Sequence, residues 1–337
     1  MRRCLSACAV LVLCGLAIVC GHEASFAATA RTGVRVEVFA QAPGARSLAL
    51  CAGRVYVGTK GDSVYSIPLS GGAAVRAAAG LSAPNGVACL AGRLFVAARD
   101  RVVAFTPGPG RLGMGEVIRS GLPNKSHHGL RYIKAGPDGR LYVALGSPCN
   151  ICQPQGLEGS IVRMDPDGGA FERVAWGVRN SVGFDWRDGA MYFTDNGADG
   201  MGDDTPPDEL NRLAQGAFYG FPFFGGRTRL RGFERAPPPT GQQPPIHEFQ
   251  AHVAALGIHF YRGAMFPELR GRALVAEHGS WNRSVPVGRQ LVVVGTDAGP
   301  DRPFVSGIGR PVDVAELPDG SILVSDDAGG KIWRVSR

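Results

Sequence analysis

A phrase made of a glycine-centred turn and a β-rich run recurs along the whole chain, and this repeat restricts the folds open to it. In each copy the turn is followed at once by apolar and aromatic residues, which is typical of a buried strand. Copies occur at residues 52–57, 91–96, 137–143, 188–193, 270–275 and 318–324, of which 270–275 is the weakest. Repeats at intervals of roughly 40–50 residues are typical of β-propellers, so the sequence predicts an all-β fold with six blades.

The two ends of the chain are predicted to close this ring. Residues 34–39 alternate between apolar and polar side chains, as in a strand with one buried face. We expect this strand to pair with the last blade, which ends at residues 332–335. The predicted architecture is a single domain over residues 31–337, a six-bladed β-propeller of four-stranded antiparallel sheets whose ring is closed by the N- and C-terminal strands.

The first 30 residues have the order of a secretory signal. Two arginines precede an apolar run that ends at Cys20, and small residues follow at 27–30. This order predicts a signal peptide over residues 1–30 and a periplasmic or secreted protein. Lipoprotein anchoring at Cys20 is less favoured, because Val19 is bulky for the position before a lipidated cysteine.

The sequence contains eight cysteines, and four of them lie beyond the predicted signal: Cys51, Cys89, Cys149 and Cys152. An oxidising compartment permits two disulfides. For the C-x-x-C pair at 149 and 152, a bridged loop is favoured over zinc because no second pair of ligands has the required spacing. Cys51 and Cys89 occupy the same place in the first two repeats. Equivalent places in two repeats do not by themselves bring two Cα atoms as close as a disulfide requires. Cys51 and Cys89 could therefore form a disulfide or remain two buried free thiols.

The net charge of +7 does not indicate a nucleic-acid partner. Arginines are scattered among glycines and prolines, without the basic helix or stripe that nucleic-acid binding requires. An anionic small ligand accounts for the charge equally well. The sequence gives no indication of the oligomeric state.

Several polar residues lie where predicted strands begin, at the mouth of the channel. His127 and His128 precede the third unit, and a histidine with its usual pKa near 6.5 can accept a proton at neutral pH, as oxidation of a hydroxyl requires. Arg179 and Asn180 open the fourth unit, and Arg310 opens the sixth. Two guanidiniums in these places are expected to converge on a polyanionic ligand.

The fifth unit adds a compact polar string. Here a flat aromatic or quinoid ligand would rest against Trp281, while His252, His278 and Arg283 hold its acidic edge.

A dense acidic stretch follows the fourth unit and predicts a calcium site. Carboxylates and carbonyls on a glycine-rich loop match the flexible oxygen coordination of calcium better than the needs of zinc. The acidic residues are Asp195, Asp199, Asp203, Asp204, Asp208 and Glu209.

Taken together, these strings resemble the soluble quinoprotein sugar dehydrogenases. The similarity covers most of the chain and is strongest to the branch of L-sorbosone dehydrogenase and the pyranose dehydrogenases that depend on pyrroloquinoline quinone (PQQ). The shared strings are His-x-x-Arg before Gly-Pro-Asp-Gly, Gly-x-Arg-Asn, Asp-Glu-Leu-Asn followed by Tyr-Gly, His-Gly-Ser-Trp-Asn-Arg, and a late Gly-Arg-Pro. The resemblance implies a six-bladed propeller with PQQ over the channel mouth.

The resemblance also implies roles for individual residues. His128 matches the base that deprotonates the sugar hydroxyl as hydride passes to the quinone, and His127 is the reserve assignment. Cofactor contacts are implied for Arg179, Asn180, His252, His278, Arg283 and Arg310. A structural calcium site is implied for Asp208, Glu209 and Tyr219, while a second calcium in the family polarises a quinone carbonyl as a Lewis acid.

Two positions depart from the family pattern. The glucose enzymes carry an aspartate that orients the catalytic histidine where this chain has Ser147, so another group must take that role if the histidine is the base. A second arginine near the last unit is replaced by Val312.

The sequence therefore predicts a PQQ- and calcium-dependent dehydrogenase. It would oxidise an aldose or a sugar aldehyde such as sorbosone, and pass electrons to an acceptor in or at the membrane. Two other classes are compatible with an exported six-bladed propeller: a calcium-dependent lactonase-type hydrolase and a non-catalytic binding propeller.

Overall fold

The computed structural model describes residues 28–295 and 300–337. All but the last three residues of the predicted signal peptide lie outside these ranges, so the signal peptide stays a prediction. Within the described ranges the only helix is a single 3-10 turn at Pro267–Leu269, and none is long and apolar enough to cross a membrane.

The first half of the chain forms short strands, as its β-rich runs predict. In chain order they are β1 (Thr29–Ala30), β2 (Arg35–Gln41), β3 (Ala45–Cys51), β4 (Arg54–Thr59), β5 (Val64–Pro68), β6 (Val75–Ala78), β7 (Gly86–Leu90), β8 (Arg93–Ala97), β9 (Val102–Phe105), β10 (Glu116–Arg119), β11 (Ile133–Ala135), β12 (Leu141–Leu145), β13 (Ser160–Met164) and β14 (Glu172–Trp176).

The second half continues in the same way, with a longer insertion between β17 and β21. Its strands are β15 (Phe184–Arg187), β16 (Ala190–Asp195), β17 (Asp208–Arg212), β18 (Ala217–Phe218), β19 (Phe224–Gly225), β20 (Thr228–Arg229), β21 (His247–Phe249), β22 (Ala255–Phe260), β23 (Ala273–Glu277), β24 (Gln290–Val293), β25 (Arg302–Ser306), β26 (Pro311–Glu316), β27 (Ile322–Asp326) and β28 (Lys331–Ser336).

These strands build six antiparallel blades of four, which confirms the predicted six-bladed propeller. Blades 1, 2 and 3 consist of β3–β6, β7–β10 and β11–β14. Blade 4 consists of β15, β16, β17 and β21, blade 5 of β22–β25, and blade 6 of β26, β27, β28 and β2. Short additions extend two blades, because β18 pairs with β14 and β1 pairs with β25.

Ring closure follows the predicted pairing. β2 lies antiparallel to β28, with Val36 opposite Val335 and Val38 opposite Trp333. Phe39 at the end of this strand is buried in an apolar cluster that also contains Ile332. The outermost strand of blade 6 therefore comes from the N-terminal side of the chain, and the ring is held by hydrogen bonds between segments far apart in sequence.

The core consists of apolar layers between neighbouring blades. In one layer, Phe95 and Val102 of blade 2 pack against Leu141, Val143 and Val162 of blade 3, and all five are buried. Burial of each such side chain contributes about 1.5–3 kcal/mol. Each blade therefore depends on its neighbours for stability.

The repeated phrase forms the hairpin between the first and second strands of a blade. Ala52-Gly53 in blade 1 has φ values of 47° and 74°, and Asp188-Gly189 in blade 4 has φ values of 51° and 76°. Two consecutive positive φ values are the geometry of a type I′ turn, which joins twisted strands tightly. All connections between first and second strands lie at one end of the ring, and in blade 5 this connection is longer and contains the 3-10 turn.

Both pairs of cysteines beyond the predicted signal are disulfide-bonded. Cys51 at the end of β3 is joined to Cys89 in β7, with a Cα separation of 5.4 Å, so this bond links blades 1 and 2. Cys149 and Cys152, whose Cα atoms are 6.0 Å apart, close a small loop between β12 and β13.

We expect the double change Cys51→Ala and Cys89→Ala to lower the free energy of unfolding by about 3–4 kcal/mol, because this bond closes a loop of roughly 40 residues in the unfolded chain. Urea unfolding followed by tryptophan fluorescence would measure the change. The matched double change Cys149→Ala and Cys152→Ala opens a much shorter loop and should cost less. Equal midpoints for the first variant and the unmodified protein would contradict the expectation.

Candidate functional site

A cavity of about 280 Å³ opens at the end of the ring opposite the repeated hairpins. Some of its lining residues lie just before, or at the start of, the innermost strand of a blade. The others lie in or next to the connections between the second and third strands of a blade. The polar lining residues are Arg46, His128, Arg179, Asn180, Asn196, Asp199, Asp208, His252, His278, Asn282 and Arg310.

The floor of the cavity is apolar. Val182 and Leu256 line it and pack with Val312 in one buried cluster. The valine that replaces the second family arginine therefore belongs to this floor. Beneath it, Tyr132 donates a hydrogen bond to Asp313 at 3.4 Å. Apolar side chains thus separate the cavity from the polar interior of the channel.

Of the two adjacent histidines, His127 and His128, only His128 lines the cavity. Its Nδ1 lies 3.0 Å from the carbonyl oxygen of Ser147, and a carbonyl can only accept a hydrogen bond. Nδ1 therefore carries the proton in the neutral ring, and Nε2 keeps its lone pair. The position at which the glucose enzymes have an aspartate thus orients the histidine here through its backbone.

The environment of His128 holds the ring neutral. Burial, followed by the charges of Arg179 and His127, lowers the pKa of His128 to about 2. His127 is exposed, with its ring centroid 4.0 Å from that of His128, and it does not line the cavity. This geometry favours His128 over the reserve assignment.

The loop that carries His128 is tightly held. His128 has a φ of 48°, and its carbonyl accepts a hydrogen bond from the buried guanidinium of Arg131 at 3.3 Å. A Cβ atom on Gly146 would lie 2.5 Å from the Cβ of His128. The arginine of the His-x-x-Arg string therefore supports the histidine, and a glycine is required beside it.

Arg179 is buried at the wall of the cavity, with 4% of its surface exposed. Its Nη2 lies 3.0 Å from Oδ2 of Asp199 and 2.8 Å from Oδ1 of Asn150. The backbone amides of Arg179 and Asn180 donate to the carboxylate of Asp195 at 2.8 and 2.6 Å. The side chain of Asn180 makes no hydrogen bond with any described residue and is free to bind a ligand.

A second cationic group lies across the cavity. Arg310 donates to the carbonyl oxygen of Gly279 at 2.8 Å, and its Nη2 lies 2.9 Å from Nδ1 of His278. His278 Nε2 lies 3.0 Å from Asp327. Arg46, from the start of blade 1, forms a 2.6 Å ion pair with the same carboxylate. Burial would raise the pKa of Asp327, but the hydrogen bond with His278 and the charges of Arg46 and Lys60 hold it well below its usual range.

His252 occupies the cavity in a fixed tautomer. Its Nε2 donates to the carbonyl oxygen of Gly202 at 2.8 Å, so its Nδ1 accepts from Asn282 at 3.3 Å. The Nδ2 atom of Asn282 also donates to Asp199 at 2.8 Å. Its Oδ1 is buried with no partner among the described residues, which leaves an acceptor available to a bound group.

The structure does not bring Arg283 into the cavity. Its guanidinium donates to the backbone carbonyls of Asp203 and Ala251 and lies 3.2 Å from Asp204. It ties the acidic loop to blade 5. Four other residues of the His-Gly-Ser-Trp-Asn-Arg string line the cavity: His278, Gly279, Trp281 and Asn282. Trp281 lies at the rim and is 74% exposed.

The three residues implied for calcium do not share one site through their side chains. Asp208 faces the cavity and accepts amide hydrogen bonds from Gly197 and Ala254 at 2.7 and 2.6 Å. Glu209 projects from the opposite face of β17, as neighbours in a strand do. Tyr219 donates its hydroxyl to the carbonyl oxygen of Arg212 at 2.9 Å.

A smaller cavity lies beside Glu209 and is lined by Asp195 and Tyr219 as well. Asp195 and Glu209 face each other across β16 and β17, both buried. Burial raises the pKa of both carboxyls, and the charge of Asp195 raises that of Glu209 further. Two adjacent buried carboxylates and backbone carbonyls are oxygen donors of the kind calcium prefers. Across residues 28–295 and 300–337, no three His, Cys, Asp or Glu side chains converge on a metal position.

Sequence reasoning missed Arg46 and Asn150. Arg46 lies at the cavity end of an innermost strand, the same kind of position as Arg179 and Arg310, so applying one rule to every unit would have found it. Asn150 lies inside the C-x-x-C loop, and nothing in the sequence indicates which residues that loop contacts, so its role could not be predicted.

We expect His128 to remain unprotonated as the pH falls to about 4, because burial disfavours its charged form. Its side-chain nitrogen shifts, followed by NMR in the quinone-free protein, would test this. In the unfolded chain the ring protonates near pH 6.5, so the unfolded state binds more protons and His128 lowers the stability as the pH falls below that value. A titration midpoint near 6 would show that the ring is not buried in this way.

Comparisons with known proteins agree with this architecture. The fold is similar to a Trichoderma reesei structure of Carbohydrate-Active Enzymes Family AA12, with a TM-score of 0.80 and 20% identity over 93% of this chain and 98% of the other. The PQQ domain of pyranose dehydrogenase from Coprinopsis cinerea, in its holo form, gives 0.76 and 18% over 93% and 97%. The soluble aldose sugar dehydrogenase of Escherichia coli, in its apo form, gives 0.66 and 17% over 90% and 99%.

A curated relative from Borreliella burgdorferi, described as an uncharacterized protein, is 44% identical over 232 residues. That similarity covers 63% of this chain and 61% of the relative. The sequence also matches the family described as Glucose / Sorbosone dehydrogenase over residues 110–334, which is more than half of the chain. The chain therefore belongs to the glucose/sorbosone dehydrogenase family.

Proposed function

We propose that this protein is a PQQ-dependent dehydrogenase that oxidises an aldose or a sugar aldehyde such as sorbosone. The observation that carries the proposal is a neutral His128, with its Nε2 lone pair free, in the wall of a cavity that also holds three guanidiniums. Family membership supports this reaction class. The Coprinopsis cinerea and Escherichia coli proteins are named as PQQ-domain and sugar dehydrogenases.

His128 would act as the general base on the hydroxyl of the sugar. Its Nε2 accepts the hydroxyl proton, while the Ser147 carbonyl holds the Nδ1 proton and stabilises the imidazolium that forms. The charge of Arg179 is one cause of the low pKa of the free ring. A polyanionic ligand against Arg179 offsets that charge, so the pKa of His128 rises toward the range in which the ring is an effective base.

The residues present fit a flat ligand with several carboxylates. Arg46, Arg179 and Arg310 supply cations on opposite walls. The amide of Asn180 and the unpaired Oδ1 of Asn282 supply hydrogen bonds. Bound PQQ would supply an acceptor for the hydride that leaves the carbon bearing the deprotonated hydroxyl.

Calcium is a further part of the proposal. Asp195 and Glu209 fit a structural ion, because two buried neighbouring carboxylates beside a small cavity are stabilised by a cation. Asp208 instead serves the cavity, where its carboxylate accepts the amides of the loops on either side.

The proposed location is the periplasm or the exterior, where reduced cofactor would pass electrons to an acceptor in or at the membrane. The predicted signal peptide and the two disulfides support this location, because disulfides persist in oxidising compartments. Cell fractionation with N-terminal sequencing would test it, and a full-length cytosolic product would contradict it.

His128→Ala should lower kcat by about 10²–10⁴-fold, the usual contribution of a positioned general base. The assay uses protein loaded with PQQ and calcium, a panel of aldoses and sugar aldehydes, and an artificial dye acceptor. His127→Ala is the matched control and should retain activity, because its ring does not reach the cavity. No PQQ binding and no dye reduction by the unmodified protein, or lactone turnover without PQQ, would overturn the proposal.

Arg46→Met should weaken PQQ binding by about 10-fold or more, because a hydrogen bond to a charged group contributes about 1.5–3 kcal/mol. The change keeps an apolar stem of similar length. Spectrophotometric titration would measure affinity, and thermal unfolding would check the fold. The control Arg302→Met removes an exposed arginine from the far end of blade 5 and should leave affinity unchanged. Equal affinities for the two variants would remove Arg46 from the binding group.

A further inference from the structure

The connection from Ser147 to Cys152, here called the bridge loop, places Asn150 between two cavity residues. The carbonyl oxygen of Asn150 accepts from Nε of Arg179 at 2.9 Å, and its Oδ1 accepts from Nη2 of the same guanidinium at 2.8 Å. Oδ1 also accepts from the backbone amide of Asp199 at 2.8 Å, and Nδ2 donates to the carbonyl oxygen of Asp199 at 2.9 Å. Asn150 therefore fixes both members of the Arg179–Asp199 ion pair.

The conformation of the bridge loop is constrained at both sides of Asn150. The disulfide between Cys149 and Cys152 closes the loop around it. Ile151 packs against a buried cluster of Ala198, from the connection between β16 and β17, and Phe221 and Leu230, from the insertion between β17 and β21. The asparagine is thus presented from a short, covalently closed and anchored segment.

The same loop reaches the base. Ser147 is fully buried. Its hydroxyl donates to the carbonyl oxygen of Cys149 at 3.0 Å, and its amide donates to the carbonyl oxygen of Arg179 at 2.8 Å. Its own carbonyl oxygen is the acceptor for Nδ1 of His128. One continuous set of hydrogen bonds therefore joins the disulfide loop, the arginine and the histidine.

We propose that Asn150 is a positioning residue that aims Arg179 into the cavity, and that the Cys149–Cys152 disulfide keeps the bridge loop in the conformation that also orients His128 through Ser147. The proposal rests on the proposed function for the roles of Arg179 and His128. It explains how the chain manages without the family aspartate at position 147, because a backbone carbonyl held by the bridge loop replaces that carboxylate as the acceptor.

The physical reason lies in the length of the arginine side chain. A free arginine populates many rotamers, and fixing one of them opposes binding unless the protein has done so in advance. The Asp199 carboxylate alone attracts the guanidinium without setting the direction of its plane. Two acceptors from Asn150, its carbonyl on Nε and its Oδ1 on Nη2, define that plane together with the carbonyl oxygen of Asn196, which accepts from Nη1 at 3.2 Å.

The test compares two variants with the unmodified protein and with one control. Asn150→Ala removes the side-chain bonds and leaves the disulfide. The double change Cys149→Ser and Cys152→Ser leaves Asn150 and opens the loop. The control is the double change Cys51→Ala and Cys89→Ala, which removes a disulfide at the opposite end of the ring.

The first readouts use the quinone-free protein. In Asn150→Ala we expect the exchange of the Arg179 Nη2 protons with solvent to rise by about 10-fold or more, since the loss of a hydrogen bond to a charged group is of that size. The Nε proton should change little in this variant, because its acceptor is the backbone carbonyl of residue 150. In the double serine variant the whole loop is released, so we expect the exchange of both the Nε and the Nη2 protons to rise. We also expect the histidine NMR spectrum of the double serine variant to show His128 as a mixture of tautomers. The control should match the unmodified protein in both measurements.

The second readouts use PQQ. Affinity for PQQ should fall by about 10- to 100-fold in Asn150→Ala, and kcat should fall in the loaded enzyme while the KM for the sugar changes little. Thermal unfolding of each variant distinguishes a local loss of PQQ affinity and activity from a loss of the fold. If Asn150→Ala does not fold, the double serine variant is used for the test instead.

Unchanged proton exchange at Arg179 and an unchanged His128 tautomer in both variants would overturn the inference. The proposed function fails separately, if the unmodified protein binds no PQQ. In that case the measurements on quinone-free protein still decide whether Asn150 and the disulfide position these side chains.

Discussion

The pairing of β2 with β28 is the constraint on which the rest of the structure depends. It joins residues from opposite ends of the described chain, with Arg35 opposite Ser336 and Gln41 opposite Lys331. Each apolar layer of the core lies between two blades, so an open ring would leave one layer exposed at each end of the arc. Closure is also what brings Arg46 of blade 1 within an ion pair of Asp327 of blade 6. The cavity therefore exists as a complete site only in the closed ring.

The two ends of the ring have different tasks. At one end, the hairpins between the first and second strands of blades 1, 2 and 4 are tight turns with two consecutive positive φ values. The other end carries the lining of the cavity, including the bridge loop. Tight hairpins hold neighbouring strands of a blade in a fixed register. The variable connections can then supply chemistry without disturbing the core.

Two of the three guanidiniums at the cavity are buried, and each of these two forms an ion pair with a carboxylate. Arg179 is held by Asp199 and Asn150, and Arg46 is held by Asp327. His128, His252 and His278 line the same cavity. Such an arrangement is costly in an empty protein, because desolvation of paired charges opposes their attraction. It is useful when a polyanionic ligand completes the network. The two buried carboxylates of Asp195 and Glu209 stand apart, since neither has an arginine or lysine in an ion pair among the described residues.

Much of the fold and part of the site could be predicted from the sequence. The turn phrase predicted six blades, and the alternation at residues 34–39 predicted the closing strand pair, because both features are local patterns of apolar and turn-forming residues. His128, Arg179, Asn180, His252, His278 and Arg310 all line one cavity, as their places before strands and in loops suggested. The structure instead directs Arg283 to the acidic loop, and it separates the side chains of Asp208 and Glu209. Whether the latter residues and Tyr219 bind calcium stays a prediction.

The sequence by itself determined the all-β fold class, the number of blades and the residue types available at the channel mouth. Only the tertiary structure decided which of these side chains meet. The partners of His128, Arg179 and Arg46 come from other blades or from connections distant in sequence, and no local pattern specifies them. The orientation of His128 shows the reason most clearly. Its partner is a backbone carbonyl, which every residue possesses, so its selection depends on the three-dimensional position of Ser147 and not on the identity of its side chain.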